Sequence, residues 1–266
     1  MNLIRCIAFC ALVSLLTTQA QDWARERLEK SPRHLEFIKI KSGGRDLNCF
    51  IAFPEVKEKA TAVVVIHEIF GLTEWVRSVA DQLAEAGYIA IAPDLLSGSA
   101  SGGGGTVELG SGDAVRRAIQ SLPPDQITQD LNATVTYVSK LPAANGKVTV
   151  GGFCWGGAQT FRFATNNKEI KAGFVFYGSA PEEEEPIKRI TCPIYGFYGE
   201  NDARINAGLP KTEDLMKKAG KKFEPVIYDQ AGHGFMRSGE APDANEANKK
   251  ARQQGWERWK KLLAGI

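Results

Sequence analysis

Three residues far apart in the chain have the types needed to attack an acyl carbon: Cys154, Asp202 and His233. A thiol is a strong nucleophile only as thiolate. An imidazole can take its proton, and a carboxylate can orient that imidazole and stabilise its charged form. The surroundings of Cys154 single it out. Val150 to Gln159 reads VGGFCWGGAQ, so the thiol stands at the centre of Gly152-Phe153-Cys154-Trp155-Gly156. This is the glycine-framed pattern of a sharp strand-to-helix turn, with cysteine where serine is commoner. Such a turn strains the backbone of its central residue. It also presses the residues two before and two after against neighbouring backbone, where a Cβ would clash, and glycine meets that demand at 152 and 156. Gly151 and Gly157 are expected to ease strand–helix packing. The turn also sets the sulfur at a helix N-terminus, which favours thiolate.

Asp202 closes Gly199-Glu200-Asn201-Asp202 after the strand-like run Ile194–Tyr198, and His233 lies in Ala231-Gly232-His233-Gly234-Phe235 after Pro225–Tyr228. Nucleophile, acid and base thus follow one another in the chain, each just past an apolar run. Only three histidines exist; His34 precedes the first strand and reads as a surface residue. The third opens His67-Glu68-Ile69-Phe70-Gly71, directly after another strand-like run. That loop is placed to supply one backbone N–H of an oxyanion hole, from Ile69, with the second from Trp155. Glu68 is unusual there. A surface position or an ion pair would explain it, but a place beside the turn suggests contact with the thiol.

These residues need a scaffold that brings strand ends together. Leu35–Lys41 and Leu47–Phe53 predict an opening strand pair around Gly43-Gly44, and Ala62–His67 a strand buried on both faces. Trp75–Ala86 predicts a helix closed by Gly87, followed by a strand at Tyr88–Ala92. Leu95–Gly112, with Gly102 to Gly105 among serines, predicts a mobile loop overhanging the site. Beyond it come a helix at Asp125–Leu141, strands at Lys147–Gly151, Ala172–Tyr177, Ile194–Tyr198 and Pro225–Tyr228, and a closing amphipathic helix at Glu246–Leu263. Alternating strands and helices imply an α/β fold, a mostly parallel sheet with helices on both faces. The order Cys154, Asp202, His233 is that of the α/β-hydrolase fold, whose functional groups gather at the carboxyl ends of strands.

The chain has 266 residues, enough for one large domain, read here as 35–266 with a short N-terminal extension at 21–34. A formal net charge of +2, with 43% hydrophobic and 24% charged residues, gives no reason to expect nucleic acid or an anionic membrane as a partner. Residues 1–20 read as a cleaved secretory signal: Arg5, the apolar stretch Cys6–Leu16, then Thr18-Gln19-Ala20. The expected location is therefore secreted or periplasmic, with no membrane association after cleavage. Cys49, Cys154 and Cys192 would remain. Cys49 and Cys192 read most simply as buried small apolar residues, with a bridge between them as the alternative.

The motifs together resemble the dienelactone hydrolase family: HEIFG (His67–Gly71), APDL (Ala92–Leu95), GFCWGG (Gly152–Gly157), YGENDARI (Tyr198–Ile205) and AGHGFMR (Ala231–Arg237). The resemblance implies an α/β-hydrolase with no metal and no cofactor that cleaves ester or lactone bonds through a cysteine nucleophile. It implies the triad Cys154, Asp202 and His233, and makes Glu68 the carboxylate that switches the thiol to its reactive form. Arg237 matches an arginine that binds the substrate carboxylate, with Phe70 as a second candidate substrate contact. One departure stands out: Gly98 occupies the position where the family carries a second carboxylate-binding arginine. It points away from dienelactone itself as substrate. The expectation is a monomeric, cysteine-dependent hydrolase of small esters or lactones. A thioesterase or peptidase on the same fold is the alternative among enzymes, and a thiol-bearing binding or redox protein the alternative outside them.

Overall fold

The computed structural model describes residues 21–110 and 112–266; the proposed signal segment lies outside the described residues. The chain opens with helix α1 (Asp22–Glu29), then forms strands β1 (Leu35–Ser42), β2 (Arg45–Ala52) and β3 (Ala60–Ile66), helix α2 (Glu74–Glu85) and strand β4 (Ile89–Pro93). Helices α3 (Thr106–Leu109), α4 (Gly112–Ser121) and α5 (Pro124–Ser139) lead to β5 (Ala144–Phe153), α6 (Trp155–Ala164) and β6 (Gly173–Phe176). Helix α7 (Glu184–Lys188), β7 (Ile194–Gly199), α8 (Ala203–Asn206) and α9 (Leu209–Lys218) come next. The chain then ends in β8 (Phe223–Tyr228), α10 (Phe235–Ser238) and α11 (Glu246–Leu263).

The eight strands form one sheet in the order β1-β2-β4-β3-β5-β6-β7-β8. β1–β2 and β2–β4 pair antiparallel and all other neighbours pair parallel. Parallel pairing needs crossover helices on the sheet faces, so central strands are buried on both sides. β3 shows this directly: every residue is buried, Ala62, Val64 and Ile66 pack into the core on one face, and Val63 and Val65 into the core on the other. The first core includes α5 and α6, through Leu131, Val135 and Phe161. The second includes α2 and α11, through Trp75, Val79 and Trp259. Fully burying each such side chain contributes about 1.5–3 kcal/mol.

Residues 21–34 include helix α1 and pack on α2. Ala24 of α1 is fully buried, and Arg33 donates to both oxygens of the buried Asp81 on α2, at 2.7 and 2.9 Å. Two helices lie between the glycine run and Pro123, and α4 buries Val115 and Ile119 against Leu96. The alternative of a bridge between Cys49 and Cys192 fails, because both thiols are free. β2 and β7 are five strand positions apart, roughly 24 Å, far beyond disulfide reach. His34 is largely exposed, as expected, with its ring edge-on to Phe53.

Candidate active site

β5 runs straight into the turn that carries Cys154. The cysteine has φ 55° and ψ −116°, a left-handed backbone that side chains rarely adopt, and its N–H donates to Phe176 O at 3.0 Å. Such strain persists only where the surrounding structure holds it. The glycines hold it. A Cβ on Gly152 would collide with Gly156 O, and one on Gly156 with Ile66 O and His67 O. A Cβ on Gly157 would stand 2.6 Å from Phe176 O, and one on Gly151 2.7 Å from the Trp259 ring. The close approach of α6 to β3, β5 and β6 therefore depends on Gly152, Gly156 and Gly157 having no side chain, and the packing of Trp259 of α11 on β5 depends on Gly151.

Asp202 follows β7 and His233 follows β8, and the parallel register of these neighbouring strands sets them side by side. Asp202 is 6% exposed, and its Oδ2 lies 2.5 Å from His233 Nδ1. The imidazole meets the ring of Tyr177 edge-on at 5.0 Å. Among the described residues no hydrogen bond joins Cys154 Sγ to the His233 ring, whose bond is to Asp202.

Glu68 occupies the loop after β3 and is 3% exposed. Arg237 Nε, from α10, donates to its Oε2 at 2.8 Å, and the same guanidinium lies over the Phe70 ring, 5.3 Å from its centroid. The ion pair left open from sequence is therefore present. Phe70, expected against substrate, packs against Arg237. Burial pushes the Glu68 carboxyl up, and the positive charges of Arg237 and His233 offset only part of that rise. Burial also pushes the Cys154 thiol up, and the nearby Glu68 charge adds to it. The Trp155 backbone N–H and the Arg204 charge act in the opposite direction.

The Ile69 N–H makes no hydrogen bond within the described residues, and the Trp155 N–H lies by the sulfur. Behind them His67 is fully buried: its Nδ1 lies 2.8 Å from Glu68 O, and its ring stacks on Trp155 at 5.5 Å. Burial pushes its pKa down and keeps it neutral. His67 thus props both the Glu68 loop and the first residue of α6, a role that sequence reading missed.

Two further residues escaped the sequence reading. Tyr177, just past β6, has φ 40° and a fully buried hydroxyl with no hydrogen-bond partner among the described residues, beside the charges of Glu68 and Arg237. Nothing in the run Ala172–Tyr177 marks it as more than a strand end. Asp94, just past β4, accepts from the Leu96 and Thr106 N–H groups at 3.1 and 2.8 Å and from Thr106 Oγ1 at 2.7 Å. Thr106 Oγ1 in turn accepts from the Leu72 N–H at 3.0 Å, next to the Glu68 loop. The glycine-rich segment is therefore fastened at Leu96 and Thr106; within the run Gly102 to Gly105, Gly102 and Gly103 have open space around them, while Gly104 and Gly105 pack against Glu108 and Asp94. Its signal was present in the sequence as an aspartate at a strand's carboxyl end. Among the described residues, no group of three His, Cys, Asp or Glu side chains is placed to hold a metal ion.

A glycine-framed strand-to-helix turn on a mostly parallel sheet, with Asp202 past β7 and His233 past β8, defines the class: the protein has the α/β-hydrolase fold. The chain belongs to the dienelactone hydrolase family, whose model matches residues 47–266, and it is a carboxylic-ester hydrolase. It is 32% identical over 232 residues to a protein of Salmonella typhimurium provisionally assigned as a carboxymethylenebutenolidase, covering 82% of this chain and 83% of that one. It is 30% identical over 258 residues to a Saccharolobus solfataricus protein with the same provisional assignment, covering 85% and 96%. A crystal structure from Klebsiella pneumoniae subsp. pneumoniae, provisionally a dienelactone hydrolase, superposes with a TM-score of 0.77 at 25% identity, covering 88% of this chain and 99% of that one.

Proposed function

We propose that this protein is an exported hydrolase of small carboxylic esters or lactones that works through a thioester on Cys154. The observation that carries the reading is the Asp202–His233 pair at 2.5 Å, set beside a thiol held forward at φ 55°. Asp202 fixes the imidazole with Nδ1 toward the carboxylate, leaving Nε2 for the reaction.

The thiol must first lose its proton. Glu68 is buried, carries a raised pKa and has an electrostatic hold on the sulfur, so it keeps the sulfur neutral at rest and can accept its proton. A substrate carboxylate that draws Arg237 away would free Glu68 for that transfer. The thiolate then attacks the acyl carbon, and the Ile69 and Trp155 N–H groups hold the oxyanion. Collapse of the adduct breaks the ester C–O bond, and the leaving alkoxide takes, by way of His233, the proton that Glu68 removed from the thiol. Water, losing a proton to His233, then attacks the thioester carbon, releasing the acid and restoring the thiol. An amide is a poorer substrate, because the thiolate leaves more easily than an amine and the adduct reverts.

Activated short-chain esters test the reading. Cys154→Ala should lower turnover by at least about 10³-fold while the fold is retained. Rapid quenching of the parent with substrate should show Cys154 heavier by one acyl group. Undiminished turnover in a folded Cys154→Ala protein would refute the nucleophile assignment. Mass spectrometry of protein recovered from the native host tests export, with a mature chain beginning at or near Gln21 expected.

A further inference from the structure

We propose that Gln21 is a modification site: as the first residue of the exported chain it closes on itself to a pyroglutamyl lactam, which docks on the start of α2. The assignment rests on the export reading above and is independent of the ester chemistry.

Cleavage after Thr18-Gln19-Ala20 leaves Gln21 with a free α-amine. That nitrogen attacks the side-chain amide carbon, Cδ, and closes a five-membered ring. A bond forms between the α-nitrogen and Cδ, the Cδ–Nε2 bond breaks, and Nε2 leaves as ammonia with one of the amine's protons. No oxidant or co-reactant is consumed. Oε1 stays as the lactam oxygen, and the peptide bond to Asp22 is untouched.

The fold uses the part of the amide that this reaction keeps. Gln21 is half-buried just ahead of α1, and its side chain makes no cap bond on its own helix. It reaches instead to α2, where Oε1 accepts from the Trp75 N–H at 3.2 Å. Trp75 lies in the first turn of α2, and Thr73 before it makes no side-chain cap bond, so Gln21 supplies an acceptor that the turn otherwise lacks. Nε2, the atom lost, makes no hydrogen bond among the described residues.

Charge points the same way. A free α-amine at Gln21 puts a positive charge at the N-terminus of α1, against the helix dipole. The acids of the two first turns are already engaged: Asp22 and Glu74 pair with Arg25, and Glu74 also with Arg77. The lactam nitrogen is uncharged, so closure removes the conflict. The seat is firm. Trp75 is fully buried, lies edge-on to Phe153 at 4.9 Å, and donates through Nε1 to Glu240 at 3.2 Å. A closed first residue here is tied to the core and offers no amine to an aminopeptidase.

The test takes the full chain with its leader, made in the native host, and measures the intact mass of the exported protein at neutral pH before any digestion. The expected species begins at Gln21 and is lighter by one ammonia than the unmodified chain. Its tryptic peptide 21–25 should resist an aminopeptidase until a pyroglutamyl peptidase has removed the first residue. A chain that begins at Gln21 with its amide intact overturns the modification and leaves export standing, as does a start at any other residue past the leader. A chain that retains residues 1–20 refutes export and the modification together. Gln21→Ala, exported in the same way, should carry a free amine, lose about 2–4 °C in Tm and keep its ester turnover. A Tm equal to the parent's would overturn the docking on α2.

Discussion

Asp202 and Glu68 are both buried carboxylates just past core strands, and each binds one basic side chain, His233 Nδ1 at 2.5 Å and Arg237 Nε at 2.8 Å. Their partners make them different. An imidazole can carry a proton in the proposed reaction, so the Asp202 pair can cycle with each turnover. Arg237 stays charged throughout, so the Glu68 pair can change only by coming apart. In the proposed mechanism one carboxylate orients a base, while the other governs the charge state of the thiol. The thiol is a neighbour of both, but burial and the Glu68 charge are the main influences that raise it.

The sharpest way to break the comparison is Asp202→Asn. An amide in place of the carboxylate presents the wrong tautomer of His233 to the sulfur, and kcat should fall by about 10⁴-fold with the fold intact. A loss of less than tenfold would mean that Asp202 does not orient the base. Glu68→Gln should act less strongly and differently. With the carboxylate gone, one influence raising the thiol is removed, so the pH midpoint for alkylation of Cys154 by iodoacetamide should move down. Turnover should nevertheless slow roughly 10- to 100-fold, because an amide cannot accept the proton. A midpoint that stays put or rises would contradict the role given to Glu68. Asp94→Ala should touch the chemistry least. It removes three hydrogen bonds that fasten the glycine-rich segment, at a cost of about 2–3 kcal/mol in stability. A lower thermal midpoint with an unchanged alkylation profile is expected. A shifted profile would place Asp94 among the carboxylates that act on the sulfur.

The sequence reading reached the Asp202 pair and missed the Glu68 pair for a physical reason. Cys154, Asp202 and His233 each follow a recognisable apolar run, and the parallel sheet turns that local signal into spatial proximity. Gly152 and Gly156 were legible too, because only one kind of turn needs glycine at both places. Glu68 and Arg237 are 169 positions apart, in a loop and a four-residue helix. No periodicity connects them, and only the packed fold brings them together. Helix α4 was overlooked because Val115, Ala118, Ile119 and Leu122 form a short stripe next to a glycine run whose composition argued for a loop. That composition still describes Gly102 and Gly103, but Asp94 overrides it on either side. In α1 the buried Ala24 is small and its helix mostly charged, so the tie to α2 through Arg33 and Asp81 had no hydrophobic signature.

The contact between Gly151 and Trp259 bears on the order in which the enzyme is made. Trp259 comes from the final helix and packs on Phe153, Phe174 and Phe176, the aromatic layer behind the nucleophile strand. During synthesis the thiol emerges more than a hundred residues before that layer is complete, and His233 also arrives late. The aromatic layer behind β5 is complete only when the last helix docks. A nascent chain therefore carries Cys154 before Asp202, His233 and Trp259 have been made.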